Sequence, residues 1–402
     1  MASQASQASI ALIEQLTKLG DLYKSGEAGS REGLLGVCSQ LISELSHPTE
    51  SMLRLLWAEP CHHSIIRTGI DVKLFEALAS GDEAGQKSEL IASKCEPQAE
   101  PLLIARMLRH LAAMGTVHET GPDTFAPTLF SNSFTESAYR DSLLFIEDDF
   151  QPVHVGIPSF FKENGYKLPT TGLNSPFQHK YQCKGQHMFE YFQSSAPLMG
   201  QRFASMMGAW SKGRPRWFQE EYYPVKERLL AGANEDETFL VDVGGGTGHD
   251  IEGLREHFGS DIHGKLVLQD RPEIVDIAQV NPQVERMAHD FLTEQPVKGA
   301  RAYYFHSIIQ DWNDEVNTQI LKSIVVAMTP RYSKILINDF VVPNQGAVWP
   351  QTCLDWELMA SLGARHRTEQ EHRALYEGAG LKLVGIWSHP QSLDSLLELE
   401  LA

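Results

Sequence analysis

The fold is indicated by residues 238–250, which read TFLVDVGGGTGHD. The first six residues form a largely apolar run, as expected of a buried strand in a parallel sheet. The glycines that follow permit a sharp turn and let the backbone approach a ligand with no Cβ in the way. Ile251, Leu254 and Phe258 then recur at helical spacing. The stretch therefore predicts a strand, a glycine-rich turn and a helix, the first unit of a doubly wound α/β sheet.

The next predicted strand, residues 266–269, ends in Asp270, whose carboxylate can accept both hydroxyls of a ribose. Two nucleoside cofactors suit this pattern. NAD prefers G-x-G-x-x-G with its pyrophosphate at the helix N-terminus, but here Asp250 falls in the first helical turn and would repel a pyrophosphate. S-adenosylmethionine (SAM) has no phosphate and carries a cationic sulfonium and amine, so Asp242 and Asp250 are tolerable beside it. The pattern favours SAM.

Strands and helices continue to alternate as far as the C-terminus. We predict strands at residues 302–305 and 334–340, a helix at 368–380, and two final strands at 381–387 and 392–401. This alternation is typical of a mostly parallel sheet covered by helices. We therefore assign residues 226–402 to one cofactor-binding domain.

The N-terminal half is predicted to be helical. Residues 1–50 contain two helices with apolar stripes, which pack either on the body of the protein or on another subunit. Residues 51–135 show three helical stretches and then a hairpin at 116–126, the layout of a winged helix. Such a domain binds DNA or serves dimerisation. Because no helix here is rich in lysine and arginine, the sequence favours dimerisation.

The middle segment, residues 136–225, is rich in aromatic residues and is interrupted by proline, glycine and histidine. These residues could simply form apolar core. They could equally form a helical lid that lines an apolar ligand pocket. Both interpretations stay open from the sequence.

Composition excludes several classes of function. A formal net charge of −18 disfavours nucleic acid as a partner. No apolar run reaches the ~18–20 residues that a bilayer span requires. The first ten residues lack a basic segment followed by an apolar one, so we expect no secretory signal and a cytoplasmic location. The five cysteines include no CxxC pair, so we expect neither a metal site nor a disulfide framework.

Four motifs together make residues 50–402 resemble the fungal and plant type of small-molecule O-methyltransferase. They are the glycine-rich stretch above, HDFL at 289–292, DWNDE at 311–315 and the segment 355–368. The resemblance implies a Rossmann-like class I methyltransferase sheet whose last strand is inserted antiparallel. It also implies a winged-helix dimerisation domain, an intertwined homodimer, and a small-molecule substrate pocket roofed by the middle segment.

The same resemblance implies a set of SAM contacts by matching positions. Gly244 and Gly246 would approach the methionine part of SAM, and Asp270, with Arg271 beside it, would lie at the ribose. Asp290 and Phe291 would flank the adenine. His306 stands where the family usually has a basic residue that contacts the cofactor.

Three positions depart from the acid–base set of that family. The family has His-Asp-Trp after the adenine site, and its histidine takes the proton of the substrate hydroxyl. Here the triplet is Gln310-Asp311-Trp312, and an amide cannot accept a proton near neutral pH. Two family carboxylates that orient this histidine correspond to Asp339, a shorter acid, and to His366. We expect Asp339 and His366 to face the substrate.

Two enzymatic functions follow from these departures. In the leading hypothesis the chain is similar to the SAM-dependent pericyclases of fungal 2-pyridone pathways, the leporin C synthase type, which also replace that histidine. Such enzymes use a histidine of the middle segment, matched here by His154. His154 and Asp311 would assist loss of water from an alcohol precursor of a pyridone alkaloid. Gln310 would hydrogen-bond to a substrate carbonyl, and SAM would act as a fixed charge in an Alder-ene or hetero-Diels–Alder reaction.

The alternative is a SAM-dependent O-methyltransferase that acts on a phenolic or polyketide hydroxyl with another base, such as His366 or His154. A third hypothesis, from a different class, is a catalytically inactive cofactor-binding regulatory subunit or a winged-helix transcription factor.

Overall fold

The computed structural model describes residues 6–210 and 212–402, so the first five residues of the predicted N-terminal segment lie outside the described part. The chain forms two compact units, Met1–Pro152 with Phe192–Lys212 and Val153–Tyr191 with Gly213–Ala402. These units divide the predicted segment 136–225 between them. The other predicted boundaries stay predictions.

The helices of the described residues are, in chain order, α1 Gln7–Lys24, α2 Ser30–Leu45, α3 Pro48–Leu53, α4 Glu59–Asp71, α5 Leu74–Ala79, α6 Ser88–Lys94, α7 Pro101–Ala113, α8 Leu129–Ser133, α9 Ser137–Leu144, α10 Gln151–Glu163, α11 Pro176–Tyr181, α12 Met188–Ser194, α13 Pro197–Trp210, α14 His249–Phe258, α15 Pro272–Val275, α16 Asp314–Val325, α17 Trp349–Leu362 and α18 Glu369–Gly378. Short π-helical turns lie at Arg54–Ala58, Phe145–Phe150 and Lys226–Leu230, and 3-10 turns at Gly259–Asp261 and Ile309–Asp311.

The strands are β1 Gln86–Lys87, β2 His118–Gly121, β3 Thr124–Ala126, β4 Thr238–Val243, β5 Lys265–Asp270, β6 Val284–Ala288, β7 Ala302–His306, β8 Lys334–Asp339, β9 Val341–Val342, β10 Arg367–Thr368, β11 Leu381–Ser388 and β12 Ser395–Leu401.

The first unit is mainly helical. Its core is formed by apolar side chains of α4 to α7 and β3, among them Leu74, Leu108 and Phe125, all of which are buried. The predicted hairpin is present as β2 and β3, and β1 adds a third strand by antiparallel pairing with β3. The sequence missed β1 because a strand of two residues is too short for an alternating pattern. The winged-helix assignment stays a prediction.

The N-terminal helices α1 and α2 pack against each other. Several of their apolar side chains are nevertheless exposed: Ile10, Ile13, Leu35, Ile42 and Leu45. An apolar stripe that is left exposed is typical of a surface that contacts another element or another chain. The homodimer remains a prediction that this exposed stripe favours.

The second unit contains a seven-stranded sheet in the order β11-β12-β8-β7-β4-β5-β6. The strands from β8 to β6 are parallel, whereas β12 is inserted antiparallel between β11 and β8. This topology confirms the predicted Rossmann-like class I methyltransferase fold. The strand order reverses on the two sides of β4, so a ligand site is expected where the carboxyl ends of β4 and β7 meet.

Apolar side chains cover both faces of this sheet. One face packs against α16 and α18 through a cluster that includes Tyr303, Ile324 and Ile337. The opposite face packs against α14 and the segment 217–229, with Trp217 stacked on Tyr304 at a ring-centroid distance of 4.9 Å. Burial on both faces explains why β4, β5, β7 and β8 read as continuous apolar runs. No helix in the described ranges is both long and apolar enough to cross a membrane.

Candidate active site

The glycine-rich loop follows β4 directly. Gly244, Gly246 and Gly248 have φ values of +71°, +61° and +90°, a region that side chains rarely adopt. A Cβ at Gly248 would overlap Cγ1 of Val280, so packing alone requires glycine there. At Gly246, by contrast, no atom of the described residues other than Gly246 and its two chain neighbours lies within 4 Å of the position that a Cβ would take. The loop therefore leaves open space at Gly246.

Asp270, at the end of β5, is held by the backbone of this loop. The Gly246 N–H donates to Asp270 Oδ2 at 2.8 Å, and the Arg271 N–H donates to Oδ1 at 2.7 Å. Burial raises the pKa of Asp270, and these two N–H groups partly offset the rise. The structure thus brings together Gly246, Asp270 and the backbone of Arg271, and their contacts with SAM stay predictions. The Arg271 side chain itself lies 3.4 Å from Glu273.

A half-buried ion pair joins the first turn of α14 to the end of β7. His306 Nδ1 lies 2.6 Å from Asp250 Oδ2, while Arg216 and Tyr304 donate to the same carboxylate at 2.8 and 2.9 Å. Burial alone would raise the pKa of Asp250, but His306 and Arg216 lower it to about 2. Burial likewise lowers the pKa of His306, and Asp250 outweighs it and raises that pKa to about 9. His306 is therefore a cation at neutral pH.

The sequence did not indicate Arg216 and Tyr304 as members of this cluster. Tyr304 precedes His306 by two residues on β7, so both side chains lie on the same face of the strand. This two-residue spacing could have indicated from the sequence that Tyr304 lies beside His306. Arg216 lies far from α14 in sequence, and its pairing with Asp250 depends on the tertiary fold.

The carboxylates around the loop fit SAM. Asp242 is buried beneath the loop, where a Cβ at Gly245 would lie 2.5 Å from its Oδ2. That oxygen accepts no hydrogen bond from the described residues. Burial raises the pKa of Asp242 well above its usual range. Where they are ionised, the carboxylates of Asp250 and Asp270 would attract a cationic sulfonium or ammonium group and would repel a pyrophosphate.

Phe291 lies against the other side of the loop, 3.7 Å from the position that a Cβ of Gly244 would take. Its ring also meets the Trp312 ring edge-on, with centroids 6.0 Å apart. Asp290 is exposed, and its Oδ1 accepts the N–H of Leu292 at 3.0 Å. The structure thus places Phe291 at the loop and Asp290 beside it in a surface turn, and their role of flanking the adenine stays a prediction.

The segment that carries Gln310 is fixed by long-range hydrogen bonds. Asn317 donates to the carbonyls of Ile309 and Trp312 at 2.8 and 2.7 Å, and Arg367 also donates to both. Oε1 of Gln310 is buried and accepts no hydrogen bond from the described residues. A buried amide oxygen without a partner is costly, so this atom is suited to accept a hydrogen bond from a ligand.

Asp339, at the end of β8, is fully buried, and neither of its oxygens has a hydrogen bond of good geometry in the described ranges. Burial raises its pKa to about 7, although His306 and Arg367 pull it down. His366 is also buried, and its ring meets Phe340 edge-on at 4.5 Å. Burial lowers the pKa of His366 to about 4, so its imidazole is neutral and only weakly basic at neutral pH.

His154, on α10, pairs with a residue that the sequence did not indicate. Its Nε2 lies 2.7 Å from Oε1 of Glu357, and both side chains are about one-third exposed. Glu357 belongs to α17, which also contacts the turn Ile309–Asp311. A histidine beside a carboxylate is a common arrangement for proton transfer. The sequence did not indicate Glu357 as a partner of His154, because the pair forms only when α10 and α17 meet.

Comparison with known proteins places the chain in a family. A family model described as "O-methyltransferase domain" matches residues 225–382. The O-methyltransferase mpaG of Penicillium brevicompactum is 38% identical over 405 aligned residues that span all of both chains. The chain belongs to the fungal O-methyltransferase family. The O-methyltransferase asqD of Emericella nidulans is 37% identical over 75% of this chain and 77% of its own.

Solved structures agree with this family assignment. LepI in complex with SAM is 25% identical, covers 99% of this chain and 100% of its own, and has a TM-score of 0.86. A structure described as a pericyclic reaction enzyme matches equally well. OxaC in complex with sinefungin and meleagrin is 25% identical, covers 98% and 99%, and has a TM-score of 0.81. The chain is thus an enzyme of the O-methyltransferase fold with SAM as its cofactor, as predicted.

Proposed function

We propose that this family member is a SAM-dependent dehydratase and pericyclase of fungal secondary metabolism, which removes water from an alcohol and transfers no methyl group. The observation that carries the proposal is Gln310. An amide stands where the family has its catalytic imidazole, and its buried oxygen has no hydrogen-bond partner among the described residues. A glutamine can orient a substrate donor, but it cannot deprotonate a hydroxyl.

The neighbouring groups do not restore a strong base at that position. His366 replaces a family carboxylate, and its pKa of about 4 makes it a poor proton acceptor at neutral pH. Burial and the charge of Asp339 raise the pKa of Asp311 well above its usual range. His366 is therefore neutral at neutral pH, and burial makes Asp311 and Asp339 retain a proton more readily than an ordinary aspartate does, which suits the departure of a hydroxyl as water.

The His154–Glu357 pair supplies the base that dehydration also requires. The Glu357 carboxylate, 2.7 Å from His154 Nε2, orients the ring and stabilises the imidazolium that forms when His154 accepts a proton. Asp311 would donate the proton that leaves with the hydroxyl. His154 would thus accept one proton, and Asp311 would donate another.

The loop at Gly244–Gly248 and Asp270 would hold SAM. Bound there, SAM supplies a fixed sulfonium charge next to the substrate, and in the alternative function it supplies a methyl group. Gly246 provides the open space that such a ligand needs, and Phe291 provides an aromatic surface next to the loop.

The second candidate function is O-methylation of a phenolic or polyketide hydroxyl. It is favoured by relatives named O-methyltransferases that match the full length of the chain. A specific observation also favours it. Asp339 has a pKa of about 7, which is close to the value that a general base needs at neutral pH.

Methyl-labelled SAM separates the two functions. The purified enzyme would be incubated with a panel of hydroxylated 2-pyridone alcohols and phenolic polyketides, and the products analysed by mass spectrometry. We expect a product that has lost one water, carries no label and forms without release of S-adenosylhomocysteine. Label in the product, with stoichiometric S-adenosylhomocysteine, would establish the methyltransferase instead.

Two histidine variants test the role of His154. His154→Ala should slow dehydration by ~10²–10⁴-fold, as expected for loss of an acid–base group. His263→Ala is the matched control, because His263 also lies beside a glutamate, Glu235 at 3.7 Å, but is exposed and lies just before the amino end of β5. Equal rates in the two variants would remove His154 from the mechanism.

A further inference from the structure

We propose that Asp394 and His306 together bind the amino-acid end of SAM, with Asp394 accepting its ammonium group and His306 donating to its carboxylate. The inference goes beyond the proposed function, because it concerns how SAM is held and applies to dehydration and to methyl transfer alike. Asp394, in the loop between β11 and β12, was not indicated by the sequence as a site residue.

Two neighbouring polar atoms carry the inference. Nε2 of His306 and Oδ1 of Asp394 are both buried, and neither has a hydrogen bond of good geometry with the described residues. Nε2 of His306 lies 4.0 Å from the other oxygen of Asp394, Oδ2, which is too long for a hydrogen bond. Because His306 is a cation, its Nε2 is a donor, and the Asp394 carboxylate is an acceptor. Buried polar atoms without partners are costly, so we expect a ligand to satisfy both.

Asp394 is held in place through its main chain. The Tyr222 hydroxyl donates to the Asp394 carbonyl at 2.5 Å, and the Asp394 N–H donates to Oγ of Ser392 at 3.2 Å. Asp394 itself is only 8% exposed. These two hydrogen bonds fix the residue without using its carboxylate, which therefore stays available to a ligand.

The position of the pair in the sheet fits the shape of SAM. Strands β7 and β5 lie on the two sides of β4, and the glycine-rich loop follows β4. Asp270 ends β5 and is expected at the ribose, whereas His306 ends β7. Neighbouring strands are ~4.8 Å apart, so the ends of β5 and β7 are separated by about 10 Å. In SAM the ribose and the amino-acid end lie on opposite sides of the sulfonium. A ribose at β5 thus directs the amino-acid end towards β7.

The charges around the pair suit a ligand with both an ammonium and a carboxylate group. Burial raises the pKa of the Asp394 carboxyl, and His306 and Arg214 oppose this rise. Asp250 adds to the rise, and the N–H of Asp394 reduces it. An ammonium group beside Oδ1 would add a cation and favour the ionised carboxylate. The positive charge of His306 would strengthen its hydrogen bond to a ligand carboxylate.

Two ligands that differ in the amino-acid end test the assignment by calorimetric titration of the full chain. S-adenosylhomocysteine and 5′-methylthioadenosine are both thioethers, but the second lacks the amino-acid end. Asp394→Asn keeps the size of the side chain and removes its charge. It should weaken binding of S-adenosylhomocysteine by ~10-fold or more, as expected for a lost hydrogen bond between charged groups. It should leave the affinity for 5′-methylthioadenosine unchanged.

Asp149→Asn is the matched control, because Asp149 also lies beside a cation, Arg202 at 3.0 Å, but belongs to the first unit. It should bind both ligands as the natural chain does. An equal loss for both ligands in Asp394→Asn would show a merely structural role and overturn the proposal. Unchanged affinity for S-adenosylhomocysteine in Asp394→Asn would also overturn it.

Decarboxylated SAM tests which residue meets which group, since it keeps the ammonium and lacks the carboxylate. Asp394→Asn should weaken its binding as much as it weakens the binding of SAM. His306→Gln should weaken binding of SAM by ~10-fold or more and have little effect on decarboxylated SAM, because that ligand has no carboxylate to accept the hydrogen bond. If His306→Gln weakens the binding of both ligands equally, the assignment of His306 to the carboxylate is wrong.

Discussion

Two alanine variants in the glycine-rich loop should separate an effect on packing from an effect on ligand binding. Gly246→Ala and Gly248→Ala both place a side chain at positive φ, yet their surroundings differ. The added methyl at Gly248 would overlap Val280 and lie 3.1 Å from Cδ2 of Leu268, whereas the methyl at Gly246 meets no described atom within 4 Å. Gly248→Ala should therefore damage the fold, and Gly246→Ala should damage the site.

The magnitudes follow from these surroundings. A left-handed conformation costs a residue with a Cβ about 1–2 kcal/mol, and both variants incur this cost. Overpacking adds about 1–3 kcal/mol at Gly248, because Val280 and Leu268 must move. We therefore expect a loss of about 1–2 kcal/mol in the free energy of unfolding for Gly246→Ala and about 2–5 kcal/mol for Gly248→Ala. In SAM affinity, Gly246→Ala should lose ~10-fold or more, which corresponds to about 1.4 kcal/mol.

Urea unfolding without ligand and calorimetric titration with SAM measure the two effects. Gly232→Ala is the matched control, because Gly232 also has positive φ, +77°, and no described atom within 4 Å of its would-be Cβ, but lies in a turn before β4. It should lose as much stability as Gly246→Ala and keep full SAM affinity. Unchanged SAM affinity in Gly246→Ala, or equal stability of Gly246→Ala and Gly248→Ala, would refute the reasoning.

Two further predictions concern stability and assembly. The pKa of His306 is raised from 6.5 to about 9, so its ion pair with Asp250 stabilises the fold fully below pH 6.5 and is lost as the pH rises through 9. This difference corresponds to about 3 kcal/mol, and urea unfolding at pH 6 and pH 9.5 should show His306→Gln to be much less pH-dependent than the natural chain. Deletion of residues 1–45 should convert a homodimer to monomer or aggregate, since α1 and α2 carry the exposed apolar stripe. Light scattering that finds an unchanged dimer would contradict this role.

Much of the fold could be predicted because its signals are local. The apolar run of β4, the glycines after it and the spacing of Ile251 and Leu254 lie within one short stretch of chain. The edge strand β6 was missed because it reads VERMA and most of its residues are exposed, so it has no apolar run. An edge strand pairs on one side only and needs less apolar surface.

The site was predictable only in part, for the same reason. Gly246 and Asp270 each stand in a local motif, and the structure places them in contact. Arg216 with Asp250, and Glu357 with His154, are pairs between residues that are distant in sequence. Their formation depends on tertiary packing, and a single sequence carries no signal for it.

The site in the second unit contains two regions whose titratable groups differ in charge at neutral pH. Around the loop, Asp250 has a pKa of about 2 and His306 one of about 9, so both are charged at neutral pH and form an ion pair with each other. Near Gln310, burial keeps His366 neutral and raises the pKa values of both Asp339 and Asp311. A substrate hydroxyl in this second region meets groups that can give a proton more readily than take one. Methyl transfer requires the substrate hydroxyl to lose its proton, whereas dehydration requires the leaving hydroxyl to gain one. Because burial raises the pKa values of Asp339 and Asp311, it favours the loss of water.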